Sequence, residues 1–463
     1  MSLVDPILFG TLEEVQEALK AGSDIEEVDV YGFTPLIEAA IANKTDVAAL
    51  LLKSGADANG QDASGRTALH WAIDNANLEL SQLLLKHNAE PNMPTTAGQP
   101  ALIYPILRQQ NELKKLLCDY GASLNFAQDF INAKLLGHRY ELAGKVDIFY
   151  PKGQGSFIEL KYEGFFLEFT IDIICHSLQR YSNHFSARHL QPYFPYLRLI
   201  IEAFIRARTL LKYQRYTIDI QQYADQIDPL LTKNLLLLPV AYEGHAISFI
   251  QYKNFLVRCD RGENSRREGS VVLYQIGNMK NWNLPFIKQL IYKRQTQKFI
   301  TQGIKRVLGL TAMTQLPLAS QLIGNCSWAN VEASIPALLF LLLLPARNFP
   351  KSCEKDKAHA IDFYRNWMQW DKDRALEECI KGFQYASRTR KASKATILAA
   401  ILFQTCDYQR SEDMEKAERI LKILTLSEYD YLLKSYKKIY WDMRKTKQGL
   451  NFLHLLDVCG VSL

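Results

Sequence analysis

The chain has 463 residues, 48% hydrophobic and 22% charged, with a net charge of +6. Those proportions exclude a disordered or fibrous chain, and the length calls for two or three domains instead of one core. Residues 1–126 hold 8 Lys/Arg against 17 Asp/Glu, which leaves 47 against 32 for residues 127–463, so an acidic module is joined to a basic one.

The N-terminus, MSLVDPILFG, has neither a basic leader nor a small-residue cleavage site, and no signal peptide is expected. A repeat then sets in. Gly32, Gly65 and Gly98 are 33 residues apart, as are Gly22, Gly55, Asn88 and Gly121, the leucines Leu36, Leu69 and Leu102, and the asparagines Asn59, Asn92 and Asn125. Several registers sharing one period predict a stacked array, because no unit of this length buries its leucine stripe alone. Glycine supplies the positive-φ turn of each hairpin, and Thr34 or Thr67 caps the helix that follows. The segments GFTPLIEAA and GRTALHWA resemble the ankyrin repeat, with GQPALIYPI a worn copy. Four units over residues 1–126 are expected, the first acting as a cap.

Ankyrin arrays bind proteins, and the hairpin tips are where the partner is expected. Tyr31, Ser64, Thr95 and Thr96 lie at the tips, flanked by Phe33, Arg66 and Gln99. Trp71, inside a helix, is expected to pack between repeats. Asn59, Asn92 and Asn125 each follow a leucine by eight residues and resemble positions that an asparagine hydroxylase modifies in ankyrin proteins. Their simpler role is to hydrogen-bond the loop.

From residue 127 the period ends. Residues 146–170 alternate like strands, 194–237 look helical, and 239–265 form a β-hairpin, HAISFIQ followed by FLVRCD. A turn centred between Tyr252 and Lys253 places His245 directly across from Asp260, and a two-residue shift leaves them diagonal on one face. An aspartate so placed orients the imidazole and favours its charged form.

The eight cysteines stand singly with no CxxC, which argues against a zinc cage and fits a reducing compartment. No cofactor or metal is implied. Cys326 precedes the apolar run Ile335–Leu344, which is too short for the ~20 residues of a membrane span and predicts a buried helix, with a kink or break at Pro336. At that helix N-terminus, unpaired N–H groups favour thiolate. Gln321 and the Cys326 N–H are candidate oxyanion donors, so Cys326, His245, Asp260 and Gln321 together predict acyl transfer. Asn264 is a second candidate for orienting the imidazole. Cys175–His176 and Cys353–His359 are weaker pairs, the latter in what reads as a surface loop.

Gln321 followed by Gly324-Asn325-Cys326-Ser327-Trp328 resembles the papain-type motif. The order His, Asp, Gln, Cys is similar to that of the ubiquitin-like-protein proteases and the YopJ-type acyltransferases, although the Gln–Cys interval is five and those families usually have six. After residue 350 only amphipathic helices are evident, with RTRKASK (388–394) as a basic connection between them. No aromatic–basic motif points to direct nucleic-acid binding.

The ankyrin array followed by AKLLGHRYELAGKVDIF (133–149), the His–Asp hairpin and the GNCSW turn resembles, over the whole chain, a Legionella type IV-secreted ankyrin-repeat effector. The resemblance implies translocation into a host cell (cytosol or nucleus) without a signal peptide, action on a host protein and a cysteine protease-like domain. The expected fold is multidomain: an all-α ankyrin repeat array (1–126), an α+β papain-like cysteine protease domain (127–350) and a helical extension (351–463). The expected molecule is a monomer that binds a host protein and acts as a thiol hydrolase or acyltransferase. The alternative is an inactive scaffold that only binds.

Overall fold

A computed structural model of the chain describes residues 2–151, 156–214, 219–262, 265–321, 324–344 and 353–463. Internal contacts gather into two units. The first holds the chain up to Leu135, Gly144–Tyr162 and Cys379–Leu463; the second holds Leu136–Ala143 and Glu163–Glu378.

In the first unit the 33-residue period becomes four helix pairs: Val4–Phe9 with Leu12–Lys20, Pro35–Ile41 with Thr45–Lys53, Ala68–Asp74 with Leu78–Lys86, and Ile103–Leu107 with Asn111–Asp119. Gly32, Gly65 and Gly98 all have φ near +75°. A Cβ on Gly32 would also stand 2.9 Å from the Ala63 nitrogen, so the hairpins stack too closely for a side chain there. Thr34 caps its helix by accepting from Ile37 N–H, and Thr67 does so in a reciprocal box with His70. The third hairpin has Pro100 at that capping position, and its helix shrinks to five residues.

The same unit contains an antiparallel ribbon, β1 (Lys145–Tyr150) and β2 (Ser156–Lys161), against which the helix Arg388–Thr405 packs. RTRKASK is therefore the start of a helix and not a connection. Its Arg390 grips the Asp129 carboxylate at 2.5 and 2.8 Å and reaches Asn125 Oδ1 at 2.8 Å. The helices Ser411–Leu424, Asp430–Tyr436 and Lys447–Val458 follow.

The second unit is built on a five-stranded antiparallel meander: β3 (Leu235–Tyr242), β4 (His245–Tyr252), β5 (Phe255–Cys259), β6 (Val271–Ile276) and β7 (Leu310–Leu316), paired in chain order. Leu236, Leu238, Val240, Ile247, Phe249 and Leu256 bury one sheet face among Ile227, Leu231, Ile287, Leu290 and Leu308. The helices Phe194–Leu211, Cys326–Glu332 and Ser334–Leu343 pack on β3, β4 and β5.

Two segments depart from the sequence reading. The helical stretch expected to reach residue 237 gives way to β3 at Leu235, because a strand buried at every position but Ala241 shows no alternation. The strand-like stretch expected to 170 becomes helix at Leu167. Residues 326–343 are long and apolar enough to cross a membrane, yet 83% of them are buried within the protein, as in a core helix. The break in that helix falls at Ala333, and Pro336 sits in the first turn of the second segment, where its missing N–H costs nothing.

Candidate active site

β3 and β4 are joined by Glu243-Gly244, both at positive φ (44° and 79°), a tight turn that makes His245 the first residue of β4. Tyr252 pairs with Phe255, so the next turn is Lys253-Asn254, one residue later than the centre expected from the sequence. Asp260 therefore lies diagonal to His245, not directly across from it. In the extended register the position facing His245 is Gly262, where a Cβ would come within 2.7 Å of the imidazole Cε1 and 3.1 Å of Asp260 Oδ1. Only glycine leaves room for the ring to lie over the strand end and reach the carboxylate.

His245 Nε2 is 3.1 Å from Asp260 Oδ1, and the same oxygen accepts the Gly262 N–H at 3.0 Å. With Nε2 engaged, Nδ1 is the ring nitrogen left for the hydrogen bond between His245 and Cys326. The imidazole is about a quarter exposed (26%) and the carboxylate is buried, so the ring opens to solvent while its anchor does not. The Tyr242 ring meets the imidazole edge-on, with centroids 5.4 Å apart.

Burial alone would lower the His245 pKa, but hydrogen bonds to Asp260 and Cys326 and both their charges hold it at about 9. Burial would likewise raise Cys326. Against that, the hydrogen bond from His245 and the backbone N–H groups of Ala246 and Ser327 hold the thiol below its ordinary value. Asp260 is desolvated too, yet its bond to His245 keeps it below the usual carboxylate range. The three groups thus shift the balance towards a thiolate beside an imidazolium.

Cys326 opens the helix Cys326–Glu332, with Asn325 buried at its N-cap position and donating to His138 O at 3.3 Å. Trp328 is fully buried, stacked parallel to His138 with centroids 5.8 Å apart and covered by the Arg139 guanidinium. Gln321 donates its backbone N–H to Arg261 O at 2.8 Å, which puts it beside the acid-bearing segment. Its Oε1 is buried with no hydrogen-bond partner among the described residues. Asn264 lies outside the described residues.

The competing cysteines stand elsewhere. Cys175 is buried in the helix Leu167–Ser182, and burial pushes its thiol up to about 11. Cys353 begins the helix Cys353–Gln384 and is buried, so that pair is not in a surface loop. Among the described residues no cluster of His, Cys, Asp and Glu has a metal-holding arrangement.

Sequence reasoning passed over two residues of this site. Gly262 left only an Arg-Gly ending as its signal. Asn330, one helical turn after Cys326, is 1% exposed and bonded on both sides of its amide. A buried asparagine at i+4 from a candidate nucleophile was the clue to it.

Of the hairpin residues, Tyr31 is 64% exposed, and Ser64 and Thr96 are also open. Thr96 donates to Ser64 O across neighbouring hairpins. Phe33 packs edge-on against Trp71. Arg66 is not a free anchor: it stacks on Trp71 at 3.8 Å and pairs with Asp74 at 3.0 Å. Gln99 is buried, and Thr95 accepts its backbone N–H. Asn59 and Asn92 each join consecutive loops, through Asn88 O with Glu90 N–H and through Gly121 O with Ser123 N–H.

The ankyrin-repeat family matches residues 7–95 and 57–128, in three copies. The solved structure of the Legionella effector AnkH is 44% identical to this chain, with a TM-score of 0.86, over 100% of this chain and 98% of that one. No curated protein gives a significant match.

Proposed function

This chain belongs to the family of the Legionella ankyrin-repeat effector AnkH, and from that premise we propose a host-directed effector whose array recruits a host protein to a Cys326–His245–Asp260 acyl-transfer site. The observation that carries the chemistry is the hydrogen-bonded chain from Cys326 through His245 to the buried Asp260 carboxylate. In this reading the second unit, which holds Glu163–Glu378, is the papain-like, protease-like domain, while Gly144–Tyr162 and Cys379–Leu463, expected in that domain and its helical extension, gather with the first unit.

The Cys326 thiolate attacks a carbonyl carbon, forming the C–S bond as the carbonyl π electrons move to oxygen. The Cys326 N–H and the Gln321 side chain are the proposed donors to that oxyanion. Collapse expels the leaving group, which takes the proton from the His245 imidazolium and leaves an acyl-thioester. Neutral His245 then removes a proton from water or from a second acceptor, whose attack releases the acyl group and restores the thiol. Water as acceptor makes the enzyme a hydrolase; an amine or alcohol makes it an acyltransferase.

Incubation with a thiol-directed acyl probe, followed by intact-mass measurement, tests the site. One acyl adduct lost in Cys326→Ala supports it, whereas the same labelling in both proteins, or none in the native protein, sinks it. Tyr31→Ala is expected to weaken host-protein capture while leaving acylation unchanged. Host effects that depend on Tyr31 and survive Cys326→Ala would favour a scaffold without chemistry.

A further inference from the structure

The β4–β5 ladder ends one rung early, and the missing rung explains how the site is held. Tyr252↔Phe255, Ile250↔Val257 and Ser248↔Cys259 are paired in register, so the next rung of the same type is Ala246 with Arg261. In a continuing ladder those two residues would exchange two N–H···O=C bonds. All four backbone groups go elsewhere instead. Arg261 N–H donates to Asn330 Oδ1 at 2.6 Å, and Asn330 Nδ2 donates to Ala246 O at 2.6 Å. Arg261 O accepts the Gln321 N–H at 2.8 Å, and Ala246 N–H points at the Cys326 sulfur.

We propose that Asn330 is a positioning residue of the acyl-transfer site, its side-chain amide standing in for the absent Ala246–Arg261 rung. This rests on the reading of Cys326 as nucleophile. Ala246 follows His245, Arg261 follows Asp260, and Asn330 shares a helix with Cys326, so one amide ties together the three segments that bear the site. Both its partners are backbone groups, a carbonyl and an N–H, which fixes which end of the amide is oxygen.

The insertion has two effects. It separates the strand ends by the width of an amide, which frees Ala246 N–H to face sulfur and support the thiolate. It also satisfies a buried donor and acceptor that the broken ladder would leave unpaired, each of which would otherwise carry the full cost of its desolvation. Serine or alanine at this position leaves a gap, and glutamine carries the amide one methylene too far.

The test reads the rate of Cys326 alkylation by iodoacetamide against pH, by intact mass with peptide mapping, in the full chain. The native protein is expected to show a thiolate limb below the ordinary thiol value of ~8.5. Asn330→Ala is expected to move that limb up by about one pH unit, slowing labelling at pH 6 roughly tenfold. Asn330→Asp keeps the acceptor for Arg261 N–H, loses the donor to Ala246 O, and replaces the alanine variant should that one fail to fold. A folded variant with the native limb and rate overturns the positioning role while leaving Cys326 as nucleophile. A native limb at the ordinary thiol value overturns both readings, and needs no variant to be seen.

Discussion

Replacing Asp260 with asparagine separates the charge of the site from its geometry. Asp260 Oδ1 accepts from Gly262 N–H and lies against His245 Nε2. An asparagine must keep its carbonyl at that spot, because an NH2 group there would face the buried Gly262 donor. The imidazole therefore keeps its orientation and tautomer while the carboxylate charge disappears. His245 stands at about 9 against an ordinary 6.5, a difference of roughly 3 kcal/mol. With Asp260 supplying about half of that, the imidazolium of Asp260→Asn should titrate about one pH unit lower. The assay is the bell-shaped pH profile of kcat/KM for an activated ester, whose alkaline limb reports the imidazolium. That limb should fall from about 9 to ~8, cutting the rate at pH 9 roughly fivefold while the rate near neutrality is mostly kept. Asp260→Ala, which removes the acceptor as well, should lower the rate at every pH. An unmoved alkaline limb, or an asparagine variant as impaired as alanine throughout, refutes the reasoning.

Gln321→Ala should lower kcat for the same ester ~10²-fold or more with little change in KM, if its amide serves the oxyanion; an equal rise in KM would mark it as a binding group instead. Asp371 accepts from Arg139 at 2.5 Å, Arg374 at 2.7 Å and Ser177 at 2.6 Å, and these partners, set against its burial, hold it at about 2. Because its folded pKa lies below the unfolded one, that stabilisation is present above pH ~4 and lost as pH falls towards 2, to the extent of ~2 kcal/mol. Acid unfolding of Asp371→Asn, which lacks the titrating group, should be flatter across that window. Asn92→Ala removes both links between consecutive loops and should cost ~1–3 kcal/mol in a denaturant melt of the whole chain, with Cys326 alkylation unaffected.

The repeat was the most legible part of the sequence, since period, glycine and capping threonine all express one local geometry that needs no distant partner. His245 and Asp260 were also within reach, because strand alternation survives a two-residue error in the turn. The turn itself was not, as Lys253 adopts φ +54° with no glycine or asparagine at that position to announce it. β3 was obscured by its own burial, for LLLLPVAY carries no period of either kind. Asn330 and Gly262 were out of reach for a different reason. Each acts on other chain segments, and the slight signals they leave, an Arg-Gly strand ending and an asparagine at i+4 from Cys326, do not say which segments they hold. Arg66 and Gln99 looked like tip residues by position, yet the array draws them inward to Asp74, Trp71 and Thr95.

The clasp of Arg390 on Asp129 bears on the order in which the molecule can be made. The last ankyrin unit and the ribbon leave the ribosome early, but the helix that covers β1 belongs to the final 85 residues, from Cys379 to Leu463. The second unit, interposed in the chain, is fully synthesised before the first can close. The nascent β1 therefore waits uncovered until Arg388–Thr405 is made. Chains halted before residue 379 should thus hold a finished second unit and an incomplete first one, which pulse proteolysis of stalled nascent chains would reveal as cleavage confined to the ribbon.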